Sequence, residues 1–391
     1  MSLGTPLPSA YVACAFTAMH VHILEPVHDL HTAGYLHGQR AVSEILDFMR
    51  TDEVASLLNF TRTPAGKRIL HSLRAATTES VPWLAEEIAG ISEGAGLTDY
   101  HLDDFWAVNL ISELEAAMQQ SAVPARRGDH CSDVMVRRGS DAGALNGSVL
   151  LGHNEDWSAA FRPLMYWVVY NAAPGAQFAP LGGLVYPGQA PGFAVTFTPS
   201  VWTTQNSLFP HGLNTSGVCV VGAVRAALKA ADSAAAVAEG ISKPGQAYGM
   251  SVQVVGPHVH GTTFAANVEV AGAVGRAAVA VLGCNLTQFN GYKHLPGVQF
   301  TESDSSKHRQ AAVDGYPVPR CKGDVVERIG DSSDAEFPVY RPQNTMISTL
   351  FDSSDGSFAV WYDMNPRDAT TPSWLSTLKE VFALSNLPHA Q

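Results

Sequence analysis

The chain changes texture near residue 121, and that break constrains its fold more than any other feature. Upstream, apolar residues recur at helical spacing. Residues 38–59 carry Val42, Ile45, Leu46, Met49, Val54, Leu57 and Leu58, and residues 67–91 carry Ile69, Leu70, Leu73, Val81, Leu84 and Ile88; residues 103–118 give a third helix. Downstream of Pro124-Ala125-Arg126-Arg127-Gly128 come short apolar runs separated by Gly, Asn and Pro, at residues 134–136, 148–151, 165–170, 194–197, 218–224, 250–255, 277–282 and 358–362. Such runs read as antiparallel strands. Helices are expected within this part at 227–241 and 306–313. A helical third followed by many strands is an α+β plan, with two sheets sandwiched by helices.

Composition narrows the function. The 391 residues are ample for a large core, and 46% hydrophobic with only 15% charged residues implies a compact interior. A formal net charge of −12 disfavours nucleic acid and anionic membrane surfaces as partners. No stretch reaches the roughly 18–20 apolar residues of a membrane span. The first fifteen residues lack a basic start and an apolar stretch, so no secretory signal is expected. The five cysteines (Cys14, Cys131, Cys219, Cys284, Cys321) are odd in number and never in C-x-x-C. That pattern fits reduced thiols and a cytoplasmic location. The expected partner is a small molecule.

One cysteine coincides with the break. Cys131 follows Gly128-Asp129-His130 and opens an apolar alternation, Ser132-Asp133-Val134-Met135-Val136. A nucleophile at the head of a strand, more than a hundred residues into the chain, fits an enzyme that frees its own N-terminus. Cys131 would attack the His130 carbonyl, the peptide would shift to a thioester, and water would release fragments 1–130 and 131–391. The new α-amino group, with an ordinary pKa of about 7.7–8.0, then serves as the base for the thiol. A buried cysteine with no such role is the alternative, since free Cys is among the most buried residue types.

With the second island Gly152-His153-Asn154-Glu155-Asp156-Trp157, the Cys131-Ser132-Asp133 stretch resembles the acyl-coenzyme A:isopenicillin-N acyltransferase family of self-processing N-terminal-nucleophile (Ntn) hydrolases. Its animal branch includes insect N-β-alanyl-dopamine hydrolases. Other segments are similar in order and spacing: Gly34-Tyr35-Leu36-His37-Gly38, Asn109 with Glu113, Gly212-Leu213-Asn214-Thr215-Ser216-Gly217-Val218, Gln288-Phe289-Asn290 and Thr349-Leu350-Phe351. The resemblance implies an αββα sandwich in which residues 1–130 form a helical N-terminal segment and residues 131–391 a strand-rich catalytic segment. The two fragments would remain associated as one folded unit. It implies Asn290 as an oxyanion-hole donor, Asp156 as an orienting carboxylate, Asn154 as support for that loop, and Thr345 where the family has a serine.

The chain departs from the family at His130, where glycine is common, at Met346, where an arginine stands, and at Gln288-Phe289-Asn290 in place of H-T-N. On a strand Asp133 shares the face of Cys131 and could meet a cationic substrate group. Asp156 could instead satisfy turn donors, Asn290-Gly291 could be a hairpin turn, and Asn214 reads as a turn residue. The expected activity is hydrolysis or transfer of the acyl group of a small linear amide, a β-alanyl or aminoacyl amine by analogy with the animal branch. No cofactor and no metal is expected for that chemistry. The alternative is a metal-dependent hydrolase using His20-Val21-His22 or His258-Val259-His260, each with two imidazoles on one strand face. An inactive family member is the third reading.

Overall fold

The computed structural model describes residues 19–121, 131–139 and 147–383. The expected scissile partner His130 lies outside the described residues. In the first third, the three expected helices are divided further: α1 (Leu30–Arg40), α2 (Val42–Met49), α3 (Asp52–Arg62), α4 (Pro64–Ser80), α5 (Pro82–Ala95), α6 (Leu102–Asn109) and α7 (Ile111–Gln120). Proline explains two of the breaks. Pro64 and Pro82 stand at the first position of their helices, where no N–H is required, and Thr63 caps α4 by accepting from the Gly66 N–H at 3.1 Å.

Helices α1 and α5 touch backbone to backbone. A Cβ on Gly34 would stand 2.2 Å from the Glu87 carbonyl oxygen, and one on Gly90 would stand 2.1 Å from that of His31. Only glycine permits this approach, which gives the Gly34-to-Gly38 motif a packing role. The same motif buries His37 against the strands.

The strands are β1 (His20–Ile23), β2 (Ser132–Arg137), β3 (Val149–Asp156), β4 (Tyr166–Tyr170), β5 (Leu181–Val185), β6 (Val195–Thr198), β7 (Val201–Leu208), β8 (Gly249–Val259), β9 (Thr262–Ala271), β10 (Arg276–Val281), β11 (Leu286–Gln288), β12 (Thr345–Asp352), β13 (Ser357–Tyr362) and β14 (Trp374–Thr377). They form an eight-stranded sheet, β1-β4-β5-β6-β7-β8-β9-β10, and a six-stranded sheet, β11-β2-β3-β12-β13-β14. Pairing is antiparallel except between β1 and β4. The helical third therefore also contributes an edge strand.

The sheets face each other through aromatic rings. Trp202 of β7 stacks on Phe351 of β12 with centroids 4.9 Å apart, and Phe358 of β13 lies 5.2 Å from Trp202. Outside the larger sheet lie α9 (Ala234–Ile241), packed on β8 and β9 and carrying α8 (Val220–Ala230), and α1, whose His37 meets Tyr166 and Tyr170 of β4. Outside the smaller sheet lie α10 (Asp304–Asp314) and α11 (Lys322–Ile329), with Val325 and Ile329 against Val134, Val136 and Leu150. The result is the four-layer αββα sandwich of an α+β protein. Among the described residues no helix is long and apolar enough to cross a membrane.

One expected strand is a helix. Residues 218–224 read as a β-branched run, yet Val220 begins α8. Side chains supply the helix start: the Cys219 sulfur accepts from the Gly222 N–H at 3.2 Å, and Glu113 of α7 accepts from the Val220 N–H at 2.7 Å. Satisfied N-terminal donors and burial override local strand preference. The helix expected at 227–241 is split between α8 and α9, with Ser233 capping the second.

Candidate active site

Alternation along β2 decides which side chains enter the space between the sheets. Met135 joins the inter-sheet core, while Val134 and Val136 pack towards α11. Cys131, immediately before β2, and Asp133 therefore face inward. Across the ladder β3 pairs Asp133 with His153 and Ser132 with Asn154. His153 and Glu155 join Cys131 on the inner face, and Asn154 alternates to the other side.

These inward groups form a closed polar cluster. His153 is fully buried, with Nδ1 2.8 Å from Asp133 Oδ1 and Nε2 3.1 Å from Glu155 Oε2. Thr204 of β7 donates to the same Asp133 oxygen at 2.7 Å, and the Tyr186 hydroxyl donates to Glu155 Oε1 at 2.5 Å. Burial disfavours a charged imidazole, but Asp133 overrides it by charge and by hydrogen bond, so the His153 pKa stands well above its ordinary value. Protonated, the ring has two N–H donors for its two carboxylate neighbours.

Cys131 is only 4% exposed. Burial, then the charge of Glu155, push its thiol up to about 12, against the opposing pull of His153. With the sulfur held in this surround, the thiol is protonated at neutral pH. A reaction at Cys131 needs a base beside it.

The backbone of Cys131 is held from α10. Arg309 Nη1 donates to the Cys131 carbonyl oxygen at 3.0 Å and to Ser132 Oγ at 2.9 Å, while Nη2 donates to Asn290 Oδ1 at 2.7 Å. Asn290 in turn donates from Nδ2 to the Ser207 carbonyl at 2.9 Å. Asn290 is thus linked to Cys131 through one guanidinium.

Asp156 ends β3 in a neighbouring cluster. Its Oδ2 pairs with Arg341 Nη2 at 2.8 Å and its Oδ1 accepts from the Thr345 hydroxyl, which itself accepts from the Arg341 backbone N–H at 3.0 Å. Ser305 of α10 joins the two arginines, accepting from Arg341 Nη1 at 3.0 Å and from Arg309 Nε at 3.2 Å. Asn154 is committed elsewhere. It donates to the Ile329 and Val339 carbonyls at 2.7 and 3.1 Å and accepts from Ser348 at 2.7 Å.

The structure therefore sets Cys131 and Asp133 on one inner face, each beside His153. It attaches Asn290 through Arg309, sets Asp156 with Thr345 alongside, and turns Asn154 to the outer layer. Sequence reasoning missed His153, Glu155, Tyr186, Arg309 and Arg341. Alternation through Gly152-His153-Asn154-Glu155-Asp156 sets the first two on one face, and the pairing of β3 with β2 shows that it is the face of Cys131.

Two groups of side chains among the described residues are close enough to hold a metal ion: Cys131, His153 and Glu155, and separately His20, His22 and Glu44. The first would require the thiolate, which its surround opposes. The His258-Val259-His260 pair does not converge: His258 bonds Thr263 at 3.0 Å, and His260 sits at a turn with φ of 51°.

No family model and no curated protein matches the chain. Among solved structures, it is similar to a Caenorhabditis elegans N-acylethanolamine-hydrolyzing acid amidase (NAAA) ortholog, with a TM-score of 0.39 and 12% identity over 61% of this chain and 94% of that one. A likeness this distant carries no chemistry to the present site, which stands on its own geometry.

Proposed function

We propose that the chain is a self-processing cysteine amidohydrolase or acyltransferase of the Ntn type, acting on a small linear amide. The observation that carries this reading is Cys131: a buried thiol at the head of an inner strand, between two sheets, beside a histidine held by two carboxylates. Its sulfur attacks the His130 carbonyl, the acyl group moves from nitrogen to sulfur, and water hydrolyses the thioester. Fragments 1–130 and 131–391 then stay associated through the shared core. The freed α-amine takes the thiol proton. In each turnover the thiolate attacks the substrate carbonyl, the amine leaves with a proton, and water or a second amine takes the acyl group.

The surrounding groups divide the work. His153, cationic between Asp133 and Glu155, offsets negative charge at the sulfur. Arg309 fixes the Cys131 backbone, and Asn290 next to it serves at the developing oxyanion, where loss of one donor costs roughly 10²–10³ in rate. Asp156, held by Arg341 and Thr345, orients the freed amine, with Asn154 anchoring β3. For the substrate, an aminoacyl or β-alanyl amine is favoured by unmatched acceptors inside the sandwich. Asp133 Oδ2, Asn206 Oδ1, Asn267 Oδ1 and Gln288 Oε1 are buried with no hydrogen-bond partner among the described residues, and an ammonium group supplies the donors they lack.

Mass spectrometry of the purified chain tests the reading. Two fragments, the larger beginning at Cys131, are expected together with release of amine from aminoacyl amides. Amide turnover retained by Cys131→Ala would overturn it.

A further inference from the structure

We propose that His20, His22 and Glu44 form a zinc-type metal site at the edge of the eight-stranded sheet, tying β1 to α2. The two histidines share one face of β1, as residues i and i+2 of a strand must. Both rings turn to one carboxylate oxygen. His20 Nδ1 meets Glu44 Oε1, and His22 Nε2 lies 3.7 Å from the same atom. The three ligand atoms lie within 4.8 Å of one another. Around a tetrahedral zinc, with bonds of about 2.0–2.2 Å, ligand atoms stand about 3.4 Å apart. Small side-chain rotations close that gap.

The surroundings fit a ligand set. Ser43 Oγ donates to Glu44 Oε2 at 2.6 Å, which fixes the carboxylate and leaves Oε1 to the imidazoles. The His22 ring stands edge-on to Tyr166, with centroids 5.0 Å apart at 75°, so its direction is set by packing. His22 Nε2 is buried without a hydrogen-bond partner among the described residues, an idle nitrogen that a metal would engage. The His20 side chain is 47% exposed and that of Glu44 only 7%, so the group opens to solvent on one side, with room for a water ligand. Two imidazoles and one carboxylate suit zinc and disfavour magnesium or calcium, which prefer oxygen donors.

Calorimetric titration of the chelator-stripped, full-length protein with Zn²⁺ at neutral pH tests the site. One equivalent should bind, the melting temperature should rise by several degrees, and Mg²⁺ should do neither. His20→Ala, half-exposed and safe for the core, and His22→Ala should each weaken binding by about ten-fold or more. Cys131→Ser, which alters the other candidate group, should bind Zn²⁺ unchanged. Absence of binding would mean that Glu44 and His20 form an ion pair alone, and overturn the proposal. So would binding that survives the double variant His20→Ala/His22→Ala, or binding lost in Cys131→Ser with both histidines intact. Circular dichroism of each variant separates ligand loss from unfolding.

Discussion

His37 and His153 are both fully buried, and each ring nitrogen of each has a polar atom within hydrogen-bond distance. Their charges differ. His37, carried by α1 against the outer face of β4, lies 2.8 Å from the Tyr170 hydroxyl and 2.6 Å from that of Tyr166. Burial, then the charge of His22, push its pKa down to about 3. His153, on the inner face of β3, has two carboxylates in place of the two phenols, and its pKa rises well above the ordinary value. Depth in the protein is equal, so the partner decides. One histidine is a neutral clasp between the helical segment and a sheet, and the other brings a cation to a nucleophile.

Removing the group that this cation faces should give the largest effect. Cys131→Ala should remain a full-length chain with amide turnover at the uncatalysed background, as read by mass spectrometry and an amine-release assay. Next in size is His153→Gln, which leaves Asp133 and Glu155 buried without their cation. Removing one partner of a buried ion pair costs about 3–5 kcal/mol. A urea midpoint unchanged from wild type would show that His153 carries no charge in the native protein, and the contrast with His37 would fail.

The sequence made the general plan legible because its signals were local. The break near residue 121 separated helices from strands, and the polar approach to Cys131 marked a strand head. The Gly34-to-Gly38 motif was visible, though its reason, contact between the backbones of α1 and α5, lies in tertiary packing. The site was less legible because its members converge from distant elements. Arg309 reaches Cys131 across 178 positions and Arg341 reaches Asp156 across 185, and nothing local to either arginine announces this. The choice between the two faces of β3 depended on register. Asp156 and Asn154 stood out as polar residues, whereas His153 and Glu155 needed the pairing with Asp133 to show their side. The run at 218–224 misled because its helix is started by Glu113, a residue of another element.

The smallest effect concerns how stability changes with pH, and its sign separates the two histidines. His37 binds its proton with an ordinary pKa of about 6.5 when unfolded but only near pH 3 when folded. Between those values the unfolded chain holds more protons, so this residue makes stability rise with pH, by at most about 1.4 kcal/mol per unit, and its contribution is complete above about 6.5. His153 is protonated in both states below about 6.5 and contributes no slope there. Above that pH its unfolded form loses the proton first, so its stabilisation fades as the pH climbs through the folded value. Glu113 and Glu115, raised by burial to about 7 and about 8, oppose His37 in the lower window, because their folded forms hold protons that the unfolded chain releases. Glu87, also raised chiefly by burial, acts in the same sense. The readout must therefore be a difference. His37→Gln keeps a donor and an acceptor for Tyr166 and Tyr170 but cannot titrate. Between pH 5 and pH 6 the urea midpoint of wild type should change with a more positive slope than that of the variant, while the same pair of measurements on His153→Gln should leave the wild-type slope intact. Equal slopes in wild type and His37→Gln would mean that His37 is charged in the folded protein.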